Sequence, residues 1–511
     1  MLARTLGLGL EGIRALPVEV EVSTGGGLPT FSMVGLPDSA VKESRQRVTA
    51  AVANIGLALP KKKITVNLAP AYRRKEGSGL DLPIALCLLA AAGSIPPGEL
   101  EGRIFLGELA LDGGLRPVRG VLPMAAGAAG MDHRGLFVPA GCAGEAALAR
   151  PDPLYAAATL ADVVAHLRGE AALPSPAEPG IDGPGHGADA DLDDVRGQEQ
   201  AKRAMELAAA GGHNVLMIGP PGSGKTMLAR RLPTILPPMG RGEAIETTMV
   251  HSVAGTLPEG RPLVSHRPFR CPHHTVSDAG LIGGGSTPRP GEASLAHNGV
   301  LFLDELPEFR RSSLEVLRQP MEDGRVTIAR AAMTVSYPAR FMLAAAMNPC
   351  PCGWATHPKR SCNCTYGEVR RYLGRVSGPL LDRVDIHVEV APVEYSQLAS
   401  PAAGGGASED ARKRVVAARK RQTARFCGMP GVRCNADMPA AAVEEHCPLD
   451  SESRSLLRRA MDGYGLSARA YHRVLRIART AADLEGAGRI GPAHLSEAVA
   501  CRTLDRDLWG G

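Results

Sequence analysis

Apolar residues in this chain fall into short solid runs, which predict strands, and longer stretches at three-to-four spacing, which predict helices. Leu16 to Val22 (LPVEVEV) alternates apolar and charged positions as a half-buried strand does, and Ile64 to Leu68 (ITVNL) reads as another. Ser39 to Ile55 places Val41, Val48, Ala51 and Val52 at helical spacing, and Asp81 to Ala92 is apolar enough for a buried helix. These elements predict a separate α/β domain over residues 1–168. Residues 169–190 are rich in Gly, Pro, Ala and acid, without periodicity, and predict an exposed, flexible connector. Over residues 191–395 an acid-initiated amphipathic helix (Asp191 to Ala210) precedes three apolar strands: Asn214 to Ile218, Val300 to Leu303 and Phe341 to Met347. Residues 396–511 open with a flexible break (Ala399 to Asp410) and then show helical periodicity. A basic helix covers Ala411 to Phe426, an amphipathic one Leu466 to Leu484, and a last one Ile490 to Cys501.

The strand Asn214 to Ile218 runs into Gly219-Pro220-Pro221-Gly222-Ser223-Gly224-Lys225-Thr226, and a helical stretch follows. Strand, glycine-rich turn and helix are the context in which this motif binds a nucleotide. Its backbone N–H groups and the helix N-terminus meet phosphate oxygens. Lys225 can reach the β- and γ-phosphates, and the Thr226 hydroxyl can ligate Mg²⁺. Val300 to Leu303 ends in Asp304 and Glu305, which suit Mg²⁺ and the attacking water respectively. Phe341 to Met347 ends at Asn348, a polar side chain placed to contact the γ-phosphate or that water. A nucleotide with Mg²⁺ is the expected ligand.

At 511 residues the chain is long enough for two to four domains; its 44% apolar and 22% charged residues are those of ordinary globular proteins. A net charge of +5 permits nucleic-acid binding without arguing for it. No apolar run reaches transmembrane length, and the amino terminus turns acidic before a signal-peptide core could form, so a cytoplasmic protein with no membrane partner is expected. The eleven cysteines are then thiols or metal ligands. Cys350, Cys352, Cys362 and Cys364 form C-x-C-x9-C-x-C, which predicts a structural Zn²⁺ site with His357 as a spare ligand. Lys359, Arg360, Arg370 and Arg371 around it could touch a phosphate backbone or be plain solvated charges. Between residues 263 and 291, Phe269, Arg270, His273 and His274 suit either a loop facing a nucleic-acid channel or an internally bonded insert. The basic helix Ala411 to Phe426 reads first as a solvated face and second as a nucleic-acid contact.

KEGSGLDLPIALCLLAA (Lys75 to Ala91) and FLGELALDGGLRPVRGVLPMAAGA (Phe105 to Ala128) resemble the proteolytic domain of the Lon family, which implies a ribosomal-S5-like fold. Laid over that family's Ser–Lys pair, the chain has Gly79 for the nucleophile and Met124 for the lysine, with Ser78 one position off. An inert scaffold or partner-binding domain is expected. The phosphate loop, LFLDE, the strand-end Asn348 and LLDR (Leu380 to Arg383) resemble the AAA+ ATPases, which implies a P-loop core with a helical lid. In that resemblance Arg383 is an arginine finger for a neighbouring subunit. Arg469 is the lid's sensor 2, reaching the γ-phosphate in cis, and Arg473 competes for that role. HRPFRCPHHTVSDAGLIGGG (His266 to Gly285) and PGEASLAHNGVLFLDELPEF (Pro290 to Phe309) are similar to the magnesium-chelatase-related YifB/ComM family. That resemblance implies a homo-oligomeric, hexameric ATPase ring acting on branched or single-stranded DNA: a helicase driving branch migration during natural transformation. The rival expectations are a chelatase-type ATPase remodelling a protein partner and a regulatory module switched by nucleotide.

Overall fold

Two strands, Leu2–Glu11 and Arg14–Gly25, pair antiparallel along their whole length through a tight turn at Gly12, whose φ is 65°. They anchor a seven-stranded sheet that Phe31–Val34, Lys63–Ala69, Arg103–Phe105, Gly135–Pro139 and Leu154–Ala157 complete. Val18, Val20 and Val22 face the core, as the alternation in LPVEVEV requires. The helix Ser39–Asn54 is capped by Asp38, which accepts from Val41 N, and buries Val41, Val48, Ala51 and Val52. Helix Asp81–Ala91 is buried along nearly its whole length. Its first residue, Asp81, is fully buried and accepts from Arg47 Nε at 2.6 Å, from Leu109 N at 3.2 Å and from the Ser44 hydroxyl. A hydrogen bond to that carboxylate raises the Arg47 pKa. The charge is tolerated because each of its oxygens is matched.

The computed structural model describes residues 1–75, 77–180, 191–258, 260–285, 287–330, 333–393, 405–464 and 467–502. They divide into two compact units. One holds Met1–Gly183, Arg241–Ser265 and Ala329–Tyr337; the other holds Pro184–Gly240, His266–Ile328 and Pro338–Gly511. The first unit therefore takes in pieces from beyond the expected connector. Helix Arg241–Ala254 joins it through Ser252, which accepts from Gly120 N at 3.2 Å and whose hydroxyl donates to Glu145. Burial raises the Glu145 pKa, although Ser252 and Leu122 N both donate to it. The connector departs from expectation in its first part. Ala156 N donates to Pro174 O, Leu173 N donates to His166 Nδ1, and Glu178 pairs with Arg150 and Arg241, so residues 173–178 are docked. Its remaining residues, 181–190, lie outside the described residues.

In the second unit a five-stranded parallel sheet runs in the order Phe269–Arg270, Val300–Leu303, Met342–Met347, Val215–Ile218, Ile386–Glu389. Three of these strands, Val300–Leu303, Met342–Met347 and Val215–Ile218, are buried at every position, which is why their sequences are solid apolar runs. Helices Ala407–Arg425, Ser451–Tyr464, Ala468–Glu485 and Pro492–Ala500 follow. The expected break overlaps residues 394–404, which lie outside the described residues, and Ser408 to Asp410 are already helical. The basic helix is held by its own cations. Arg414 pairs with Glu206, Arg419 donates to Ala209 O, Arg421 to Asp483 O, and Arg425 to the fully buried carboxylate of Asp483. These four arginines are structural, which departs from the expected solvated face.

Candidate nucleotide-binding and hydrolysis site

Register delivers the chemistry. Ile218 pairs with Met347 and Leu303 with Ala345, so the phosphate-loop, Asp304 and Asn348 strands all finish at the carboxyl edge of the sheet. That edge is where open α/β sheets bind ligands. Gly222 and Gly224 have φ of 76° and 96°, the left-handed conformation a curled loop needs, and helix Lys225–Ile235 starts directly after them. A Cβ on Gly219 would lie 2.1 Å from Val390 O, so only glycine fits there.

Lys225 is 8% exposed; its Nζ donates to Gly219 O at 2.8 Å, Pro220 O at 2.9 Å and Asn348 Oδ1 at 3.2 Å. Burial lowers its pKa, and the charges of Asp304 and Glu305 work the other way. Thr226 Oγ1 donates to Asp304 Oδ2 at 2.7 Å. The two expected Mg²⁺ ligands thus stand side by side, and a hydroxyl beside a carboxylate is the donor set a hard cation takes. Asp304 Oδ1 accepts from Glu305 N at 2.9 Å, and Glu305 itself sits at φ 52°. The phosphate loop from Pro221 to Met227, with Asp304, Glu305, Met347 and Asn348, lines a cleft of about 400 Å³.

Arg383 and Arg469 do not line this cleft. Arg383 donates to Glu322 and to Pro379 O, and its neighbour Asp382 pairs with Arg469 at 3.2 Å. Arg473 lies 3.5 Å from Asp385, and burial lowers its pKa. Arg469 therefore stands with the LLDR segment and not among the residues that line the chain's own cleft.

Sequence reasoning missed one contact. His274 Nδ1 lies 3.6 Å from Glu305 Oε2, so this residue of the 263–291 segment faces the carboxylate expected to handle water. The rest of the cluster is internally held. Phe269 stacks on Phe302 at 5.9 Å between centroids, Arg270 makes a two-pronged pair with Glu292, and His273 bonds Thr275.

The four predicted thiols converge two residues beyond Asn348. Their sulfurs all lie within 4.8 Å of one another, with Cys350–Cys352 at 3.3 Å, Cys350–Cys362 at 3.6 Å and Cys352–Cys362 at 3.5 Å. A tetrahedron with metal–sulfur bonds near 2.3 Å has edges of ~3.8 Å, so the donor set fits zinc. The Trp354 backbone N–H pulls the Cys352 thiol down to about 6. His357 stands outside this four-sulfur group, and its Nδ1 accepts from the backbone N–H groups of Lys359 and Arg360. In the amino-terminal unit, Ser78 donates to Glu108, while Met124 is buried in the core.

The strand order, with the phosphate-loop strand beside the Asn348 strand and that one beside the Asp304 strand, places the chain among the AAA+ ATPases, a class that implies ATP and Mg²⁺ as ligands. Family models agree. One described as magnesium chelatase, subunit ChlI, matches residues 191–398; subunit ChlI of Mg-chelatase matches 18–141, and the subunit ChlI C-terminal model matches 405–502. A protein called YifB from Salmonella typhimurium is 45% identical over 97% of this chain and 96% of its own. Competence protein ComM from Haemophilus influenzae is 44% identical with the same coverage. The magnesium-chelatase 38 kDa subunit of Rhodobacter capsulatus is 27% identical over 61% of this chain and 86% of its own. The chain belongs to the YifB/ComM family. Among the described residues no helix is long and apolar enough to cross a membrane.

Proposed function

We propose that this chain is one subunit of a hexameric, DNA-translocating ATPase that drives branch migration during recombination of incoming DNA. The observation that carries the ATPase half is the meeting of Lys225, Thr226, Asp304, Glu305 and Asn348 on one sheet edge. Lys225 and the loop amides hold the triphosphate, and Thr226 and Asp304 hold Mg²⁺, which neutralises phosphate charge. Glu305 orients water, and Asn348 senses the γ-phosphate. The DNA half is supported by likeness to competence protein ComM over nearly the whole length. Arg383 and Arg469 complete a neighbour's site, a reading supported by neither lining the chain's own cleft: Arg383 pairs with Glu322 and Arg469 with Asp382. The amino-terminal domain is a Lon-like scaffold without protease activity, a reading supported by Ser78 facing Glu108 and Met124 lying where a lysine would be needed. The four cysteines hold structural zinc.

The test is movement of a synthetic four-way DNA junction by the purified protein with ATP. Wild type should resolve it to forked products, while Lys225→Ala and Glu305→Gln should not. ATP hydrolysis without junction movement would reject the DNA reading and favour work on a protein partner.

A further inference from the structure

The cysteine knuckle presents a face that the nucleotide cleft does not use. The Arg360 guanidinium lies 4.3 Å from the centroid of the Trp354 ring, and that of Arg370 lies 5.7 Å from the Tyr366 ring. Tyr366 is 73% exposed in a chain where only 4% of residues are aromatic, so packing does not account for its place. Lys359, Arg360, Arg370 and Arg371 are exposed. The single acid between residues 354 and 371 is Glu368, and its carboxylate is occupied by Thr365 as the cap of helix Tyr366–Leu373. Two planar rings, each with a guanidinium beside it, and four exposed cations that share the single carboxylate of Glu368, which lies within electrostatic reach of Arg371, make up one continuous patch of sequence.

This combination suits a chain that offers flat apolar faces and negative charge at regular intervals. Single-stranded nucleic acid does so: its bases stack on aromatic rings and its phosphates pair with arginine and lysine. An acidic peptide would satisfy the cations but leave the rings without planar partners. A duplex hides its base faces. We infer that the knuckle face binds single-stranded DNA, with Trp354 and Tyr366 stacking bases and Lys359, Arg360, Arg370 and Arg371 taking phosphates. The inference rests on the DNA reading above. It also gives the strand a mechanical route to the cleft. The knuckle begins two residues after Asn348, and Gly353 sits so close to the phosphate loop that a Cβ there would lie 2.6 Å from Pro221 Cδ. Strand binding at the knuckle therefore stimulates hydrolysis.

The experiment measures binding of a labelled single-stranded oligonucleotide to the full chain across a salt series, with ATPase rates in parallel. Trp354→Ala/Tyr366→Ala should weaken binding about tenfold or more, and Trp354→Phe/Tyr366→Phe should retain it. Arg370→Gln/Arg371→Gln should flatten the slope of log affinity against log salt by roughly 1.4. In a Trp509→Phe background, which leaves Trp354 as the lone tryptophan, the strand should quench fluorescence. Basal ATPase should persist in these variants and stimulation by the strand should be lost. Unchanged affinity and salt slope in both variants, while wild type binds, overturns the knuckle assignment and leaves the DNA reading standing. Loss of binding in the phenylalanine pair, or preference for polyglutamate over the strand, overturns it too. A wild-type protein that binds no DNA sinks both.

Discussion

Glu305, the residue proposed to orient the attacking water, has a backbone held away from the usual regions. A φ of 52° is uncommon for a side chain with a Cβ, and the Glu305 N–H to Asp304 bond fixes it there. His274 Nδ1 stands 3.6 Å from its carboxylate, and the prediction is that it helps to aim that group. His274→Ala should lower kcat by about 10- to 100-fold, the scale of a misplaced catalytic group, while the KM for ATP stays near wild type. Glu305→Gln should lower kcat by about 100-fold or more and still bind nucleotide. Steady-state ATPase assays with a nucleotide-binding control separate the two cases; a rise in KM without a fall in kcat would remove His274 from this role. Asp483 is the structural counterpart. Fully buried, it receives Arg425 at 2.5 Å, Arg479 at 3.1 Å and Asn435 at 2.9 Å. Asp483→Ala leaves two guanidiniums without their anion and should cost about 3–5 kcal/mol in denaturant unfolding. A loss below about 1 kcal/mol would show that the arginines find other partners.

Among the elements, the knuckle binds local chemistry to the cleft most directly. Its first cysteine, Cys350, is fully buried, and the helix after its last cysteine carries Tyr372, whose pKa burial pushes up to about 12. The Asn348 backbone works against that shift, so both ends of the knuckle stand near the same strand end. Metal analysis should find about one zinc per wild-type chain and none in Cys350→Ser/Cys364→Ser. That variant should also show a lower kcat, because Asn348 loses its support. Equal metal content in the two proteins removes the zinc assignment. The carboxy-terminal helices show the opposite lesson. Their cations read as a surface from sequence, yet four of them bond inward to Glu206, Ala209 and Asp483.

For the molecule as a whole, the question is which subunit each arginine serves. If Arg383 belongs to a neighbour's site, Lys225→Ala and Arg383→Ala subunits, each inactive alone, complement one another. Random mixing leaves roughly one interface in four with both an intact phosphate loop and an intact arginine. ATPase activity of the mixture should rise to about that share of wild type. No recovery, with mixed assembly shown by mass, would place Arg383 in its own subunit's site. Arg469→Ala should complement Lys225→Ala in the same way.

Much of the cleft was legible in chain order and residue type. A curled phosphate loop needs glycines at left-handed positions, a buried parallel strand needs a solid apolar run, and carboxylates at its end need no distant partner to be recognised. The same holds for the cysteines, whose short spacing limits how far apart they can fold. Other features depend on residues far apart in sequence. The bond from Thr226 to Asp304 spans the fold and follows from strand register. His274 meeting Glu305 and Arg469 meeting Asp382 follow from packing that no periodicity encodes. Helix Arg241–Ala254 follows the phosphate-loop helix in sequence but packs with the amino-terminal unit. Motifs carried by contiguous backbone can be read locally, whereas side-chain partnerships across the fold exist only once the chain has folded.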